Sequence, residues 1–249
     1  MPLIETEGLV IKSYNLAEAD RIVVFLTRDH GVVRGVAKGA KRLKSKFGSG
    51  LEPFSVVRLS YFQKDAVELV SIQRAELVLS YFAAASDPDF LQKFSYLGDL
   101  LAAFSPPHDP NETLFRMACA CLEATGDNPS NLASIGVYFE LWLLRLAGYL
   151  PDWTRCDECK RVLDDAEPAD VRANFHLICA NCRRASNPPA DAAQRRLYAS
   201  AMRLSPADFA ASAASEREHV DRLSATLKRI IGQAIGREAV AEISLSVNN

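Results

Sequence analysis

Apolar and polar positions follow a short period through the first 75 residues and a longer one afterwards. Gly8-Leu9-Val10-Ile11 is short and β-rich, and Arg21–Thr27 (RIVVFLT) is a second such run. Asp29-His30-Gly31 is a turn signal leading into Val32–Val36. Phe54, Val56, Val57, Leu59, Tyr61 and Phe62 give an imperfect period-two run, with Ser55, Arg58 and Ser60 expected outward. Gln63-Lys64-Asp65 then reverses the chain into Val67–Ile72. About five short strands leave edges that must be closed, which predicts a small barrel of the OB type.

After Ala75 the period becomes helical. Phe90, Phe94, Leu97, Leu101 and Phe104 share one face, with Asp87 as N-cap and Pro88 at the first helical position. Asp109-Pro110 repeats the device, Leu114, Ala118, Cys121 and Leu122 line the buried side, and Gly126 ends that helix. Leu132–Leu146 is apolar nearly all round, as a helix central to a helical core should be. Ser205-Pro206-Ala207-Asp208 reads as a capping box, and Val220, Leu223, Leu227, Ile230, Ile231 and Ala234 mark a long amphipathic helix. The stretch from 148 to 190 is irregular and rich in Cys, Asp, Asn and Pro. The expected architecture is therefore α+β and multidomain. It divides into a barrel over 1–76, a helical domain over 77–150 and 190–249, and a cysteine-bearing insert over 151–189.

Composition sharpens this. An apolar share of 49% supports a real core and excludes wholesale disorder. No run approaches ~18 uninterrupted apolar residues, and Glu5, Glu7 and Lys12 near the start are unlike a signal peptide. A cytosolic location is expected, where thiols stay reduced and six cysteines are not a disulfide framework. The net charge of −2 conceals an asymmetry: residues 1–80 hold twelve cations and nine acids, and the rest of the chain is acidic. Between His30 and Leu51 there is no acidic residue, while Arg34, Lys38, Lys41, Arg42, Lys44 and Lys46 crowd together. Such a patch can bind a polyanion whatever the whole-chain sum.

Cys156-Asp-Glu-Cys159 and Cys179-Ala-Asn-Cys182 are separated by nineteen residues, the four-thiolate zinc pattern. Each CxxC turn points two sulfurs to one side, and two facing turns complete a tetrahedron around Zn²⁺. Four charged ligands close the coordination sphere, so the zinc would be structural. A redox CxxC needs a thioredoxin-like context that is missing here, and a hydrolase needs an open zinc position and a base. Cys119 and Cys121, two apart on a helix, point to different faces and are core residues. His176 stands near Cys179 but is not needed as a ligand, and His30, His108 and His219 are isolated. No catalytic constellation is legible, so no enzyme is expected.

The segment Lys38–Gly50 joins two strands of the expected barrel, its glycines permitting close approach to a phosphate chain and its cations neutralising one. It would connect the third and fourth strands, whereas contact loops of such barrels more usually join the first two or the last two. Lys12 and Arg21 are further candidates. Tyr61 and Phe62 offer a base-stacking surface, one of the two belonging to the core because their positions alternate.

Taken in order, several of these segments resemble the RecO family of bacterial DNA-repair proteins. They are Glu7–Lys12, Ala19–Ile22, Thr27–Gly31, Ala37–Arg42, Leu51–Phe54 and Leu146–Pro151 ahead of Cys156-x-x-Cys159. The resemblance implies an N-terminal OB-fold, a helical remainder and a zinc-binding insert. It implies a recombination mediator that binds single- and double-stranded DNA and anneals complementary strands. RecR and the single-stranded-DNA-binding protein would be partners in loading recombinase on coated DNA, in the cytoplasm and at the bacterial nucleoid. A zinc-ribbon adaptor devoted to protein contact is the alternative. Two departures from that pattern concern turns: Lys160 follows the second cysteine where Gly is common, and Ala173–His176 replaces a Gly-Gly before the third.

Overall fold

The computed structural model describes residues 2–63, 69–81, 84, 86–106, 109–126, 128–164, 167–184 and 187–236. Lys64-Asp65, Val67-Glu68 and His108, all singled out above, lie outside these. The chain forms two compact units, one running to Pro129 and one beginning at Ser130.

In the first unit five strands close into a barrel: β1 (Leu3–Leu16), β2 (Asp20–Thr27), β3 (Gly31–Ala37), β4 (Ser55–Phe62) and β5 (Leu69–Ser80), in the order β1-β2-β3-β5-β4. Closure depends on β1, which is longer than its Gly8–Ile11 apolar run. Its first half pairs with β4 (Leu3↔Phe62 to Leu9↔Val56) and its second with β2 (Gly8↔Thr27 to Leu16↔Asp20). A bulge between Val10 and Lys12 bends the strand so that it can serve both neighbours. On the far side β5 runs parallel to β3 through Gly35↔Val70 and antiparallel to β4. Val10, Val23, Phe25, Val33, Val57, Leu59, Tyr61, Val70 and Ile72 fill the interior.

Three local expectations are corrected. Strand β5 continues through Ser80, because β4 supplies backbone partners out to Ser55↔Ser80 and pairing overrides the helical period read after Ala75. Ser55 is buried, not outward, and Phe54 leaves the strand at φ 64° to set its ring against Phe90 and Phe94. The cap of α2 (Glu112–Gly126) is Asn111, whose Oδ1 accepts from the Leu114 N–H at 2.9 Å, in place of Asp109. Asp87 does cap α1 (Pro88–Phe104), accepting from Asp89 and Phe90 N–H.

Helix α1 packs on β1, and a Cβ at Gly98 would stand 3.2 Å from the Ile11 carbonyl. Helix α2 meets β2, where Arg28 lies 5.2 Å from the Phe115 ring centroid and bonds Glu7 and Glu112. These helices bury the outer residues Leu9, Ile11, Val24 and Leu26, so both faces of this part of the barrel are apolar.

In the second unit α3 (Leu132–Leu146) packs against α4 (Ala192–Ala201), α5 (Pro206–Ala213) and α6 (Arg217–Ile235). Its all-round apolar character is used: Ile135, Val137, Tyr138, Phe139, Leu141, Leu143 and Leu144 are buried. The polar atoms of its aromatics find carbonyls, Tyr138 Oη donating to Leu204 and Trp142 Nε1 to Ala201 at 3.1 and 3.0 Å. Ser205 caps α5 by accepting from the Asp208 N–H, as the capping box requires. Between α3 and α4 the chain builds a small module around the antiparallel pair β6 (Ala169–Val171) and β7 (Leu177–Cys179).

Candidate nucleic-acid interface and metal centre

The connector from β3 to β4 is built from successive turns. Arg42 N–H donates to Gly39 O, Ser45 to Arg42, Gly50 to Phe47 and Glu52 to Ser49, at 2.9–3.2 Å. Two bonds tie its start to the β1–β2 turn: Gly39 N–H to Asp20 Oδ1 at 2.8 Å and Lys41 N–H to Ala19 O at 2.9 Å. Gly39 takes φ +69°, a conformation that favours glycine. Two apolar side chains anchor the other end, Phe47 and Leu51 entering the barrel core at 3% and 2% exposure. Gly50 lies against β5 so closely that a Cβ would stand 2.4 Å from the Ala75 carbonyl.

With the apolar residues turned in, the cations turn out. Lys38, Lys41, Arg42, Lys44 and Lys46 are exposed, and none makes an ion pair among the described residues. Arg34, on β3, is exposed as well. Lys12 and Arg21 are placed differently: each already faces a carboxylate. Arg21 meets Glu52 at 2.9 Å, and Lys12 is paired with the buried Asp99 of α1. Burial first, and the Arg34 guanidinium second, hold the Lys12 ammonium below its usual pKa.

Lys12, Val24 and Arg34 share one transverse row across β1, β2 and β3. Tyr14, 49% exposed, joins that neighbourhood; burial raises its phenol pKa and the Arg34 charge opposes the rise. The sequence pattern carries no signal for Tyr14, because the apolar run ends at Ile11 and only the pairing with β2 carries the strand onward. Of the two aromatics expected for stacking, Tyr61 is wholly in the core and Phe62 is half-buried. Chemically, this surface can neutralise a phosphate backbone. Among the described residues it presents no nucleophile and no general base.

The second site lies in the module between α3 and α4. Cys156 and Cys159 flank one turn and Cys179 and Cys182 another, and the four Sγ atoms lie within 4.8 Å of one another. An ideal ZnS₄ tetrahedron with ~2.3 Å bonds has edges of ~3.8 Å, and Cys159 Sγ to Cys179 Sγ is 4.0 Å. The donor set and its spacing fit zinc, and the residues that would hold it are these four. When bound, the metal supplies a cross-link between two turns and no open coordination position. Burial pushes the Cys156 thiol up, but N–H donation from Cys179, Cys159 and Glu158 outweighs it and brings the pKa down to about 6. Cys182 is pushed up to about 12, chiefly by its neighbour Cys179. His176 stays outside the cluster, its Nδ1 3.4 Å from Asp157 Oδ1.

Both departures noted in the turns fall on left-handed residues, Lys160 at φ 60° and Phe175 at φ 65°. The backbone a glycine would adopt is therefore kept without glycine. Phe175 is compensated by burial, by Trp153 Nε1 donating to its carbonyl at 2.9 Å and by Arg229 over its ring at 5.2 Å. The module is less self-sufficient than its loop-rich sequence implies and less bare. Trp153, Leu163, Leu177 and Ile178 are buried, and Trp153 stacks near Tyr198 of α4 at 5.5 Å. Arg195 of α4 donates to the Glu167 and Asp164 carbonyls. Its surface cations are spoken for by Asp152, Asp157, Glu158, Glu167 and Asp170. Among the described residues no helix is long and apolar enough to cross a membrane.

A strand barrel with a cationic connector, followed by a helical unit that carries a four-cysteine module, is the architectural class this geometry defines. Comparison with known proteins makes it specific. Residues 1–81 match the family model "Recombination protein O N terminal" and residues 86–241 match "Recombination protein O C terminal". The chain belongs to the RecO family. It is 30% identical to the DNA repair protein RecO of Koribacter versatilis over 95% of both chains. It is also 33% identical to that of Geobacter metallireducens over 72% of each chain, and 35% identical to that of Bifidobacterium adolescentis over 67% of this chain and 68% of the relative. The resemblance read from the motifs is thereby borne out, and with it a place in DNA repair and recombination.

Proposed function

We propose that this chain is a recombination mediator whose barrel, an OB-fold, holds single- and double-stranded DNA along the β3–β4 connector. Arg34, Lys38, Lys41, Arg42, Lys44 and Lys46 contact phosphates. Lys12 and Arg21, already paired with Asp99 and Glu52, shape the surface and contact DNA only at its margin. The observation that carries this reading is five connector cations directed outward with no carboxylate partner among the described residues, on a loop whose backbone is fixed.

Annealing needs no bond chemistry. Two strands repel, and a cationic surface that neutralises both lowers the barrier to their meeting and raises their local concentration. No residue is assigned a catalytic part, and the protein is not an enzyme. The four cysteines hold structural zinc that stiffens the segment 151–189, between α3 and α4 of the helical unit. RecR and the single-stranded-DNA-binding protein are the partners, and the protein works at the nucleoid in the bacterial cytoplasm, helping recombinase replace the coat.

A strand-annealing assay tests this, run on complementary oligonucleotides bare and then coated with single-stranded-DNA-binding protein. The protein is expected to accelerate annealing of both, with RecR promoting recombinase loading on the coated strand. Annealing no faster than the spontaneous rate on bare DNA would overturn the reading.

A further inference from the structure

The apex of the β3–β4 connector carries Leu43, whose side chain is 102% exposed, more than any other large apolar residue described. Single exposed leucines are ordinary on protein surfaces. This one is distinguished by its setting. The same connector buries its other large apolar side chains, Phe47 and Leu51 in the barrel and Phe54 against Phe90 and Phe94, so it sorts three inward and one outward. The turn that presents Leu43 is fixed on both sides, by Arg42 N–H to Gly39 O at 3.1 Å and Ser45 N–H to Arg42 O at 2.9 Å. Its nearest charged neighbours in sequence are Lys41, Arg42, Lys44 and Lys46, all exposed, with no acid before Glu52. The aromatic expected to face a base from β4, Tyr61, is sealed in the core.

We propose that Leu43 is a wedge that enters between adjacent bases while the flanking cations hold the phosphates on either side. The inference rests on the connector being the DNA surface. Apolar side chains can unstack a base step where cations secure the backbone, the cost of unstacking being offset by apolar burial and by closer engagement of the phosphates. A leucine left fully in water on a fixed turn has the whole of its transfer free energy still to gain. The consequence is an activity beyond holding DNA. The protein opens a step, so that a stacked strand presents unstacked bases to a complement.

The test compares the full-length protein with Leu43→Ser and Leu43→Trp, after equal melting curves confirm that this exposed position has not disturbed the fold. The probe is a duplex carrying one fluorescent adenine analogue, aminopurine, whose emission rises when it is unstacked. Wild type is expected to raise the emission on saturation. Leu43→Ser should abolish the rise and bind about three- to tenfold more weakly, the loss expected for a partly offset leucine burial. Its salt dependence should be unchanged because no cation is removed. Leu43→Trp should restore the rise and show quenched indole fluorescence on binding.

Leu43→Ser retaining both the emission rise and the affinity would overturn the wedge while leaving the DNA surface intact. So would pelleting of wild type with anionic phosphatidylglycerol vesicles that depends on Leu43 while DNA signals do not, since cations around an apolar tip also suit a lipid surface. Absence of any salt-dependent DNA binding by wild type would instead remove the reading on which the wedge rests.

Discussion

Replacing Lys41, Arg42, Lys44 and Lys46 together with Ala is the most direct perturbation of the proposed DNA surface. All four side chains are exposed and free of ion pairs among the described residues, so their loss should leave the barrel standing. The connector keeps its anchors, Phe47 and Leu51 in the core and Gly50 against Ala75. Each phosphate neutralised on a single strand adds about 0.7 to the steepness of log affinity against log salt. Removing four such cations should therefore flatten the slope by about 2.8. If affinities converge near 1 M salt, the variant should bind about a hundredfold more weakly at about 0.2 M and lose still more at lower salt. Fluorescence anisotropy with a labelled oligonucleotide across a salt series measures both quantities, and a melting curve of each protein guards against unfolding. A slope within about 0.5 of wild type, with folding intact, would refute the assignment, because exposed cations that touch phosphates cannot be removed without releasing fewer counterions.

Further outcomes are expected at the cysteines, at Lys160 and at Tyr61. Cys119 is pushed up to about 12 by burial and Cys121 is raised further, so both should resist thiol reagents at pH 8 in the folded protein. Zinc chelation should then liberate only the four module thiols, while Cys156→Ser with Cys159→Ser should lower bound zinc and the melting temperature of the helical unit without changing the DNA salt slope. Lys160→Gly should stabilise the protein by about 0.5–1 kcal/mol in denaturant titrations, since the left-handed backbone at Lys160 costs a non-glycine residue about 1–2 kcal/mol and the Lys160–Asp157 pair it gives up is exposed. Destabilisation would mean the turn is held by the lysine side chain. Tyr61 Oη is buried with no hydrogen bond among the described residues, so Tyr61→Phe should hold or raise stability, by up to about 1 kcal/mol, and leave DNA affinity unchanged. A drop in affinity with stability intact would place Tyr61 at the DNA after all.

Much of this protein was legible from sequence because its signals are local. The CxxC pairs fix their own sulfur geometry within a turn, and Asp87-Pro88 and Ser205-Pro206 cap helices with atoms two or three residues away. An apolar circumference from Leu132 to Leu146 can only be a buried helix. The absence of acids between His30 and Leu51 makes a cationic patch wherever that segment lies. What tertiary structure alone decided depends on which strands meet. The reach of β1 past Ile11 and of β5 past Ala75 comes from backbone partners on β2 and β4, for which side-chain periodicity carries no signal. Pairing likewise put Tyr61 inside and Tyr14 outside, brought Asp99 to Lys12 and Glu52 to Arg21, and so separated cations that are occupied from cations that are available. Charge along a chain is written in the residues, whereas its neutralisation needs a second segment brought near by folding.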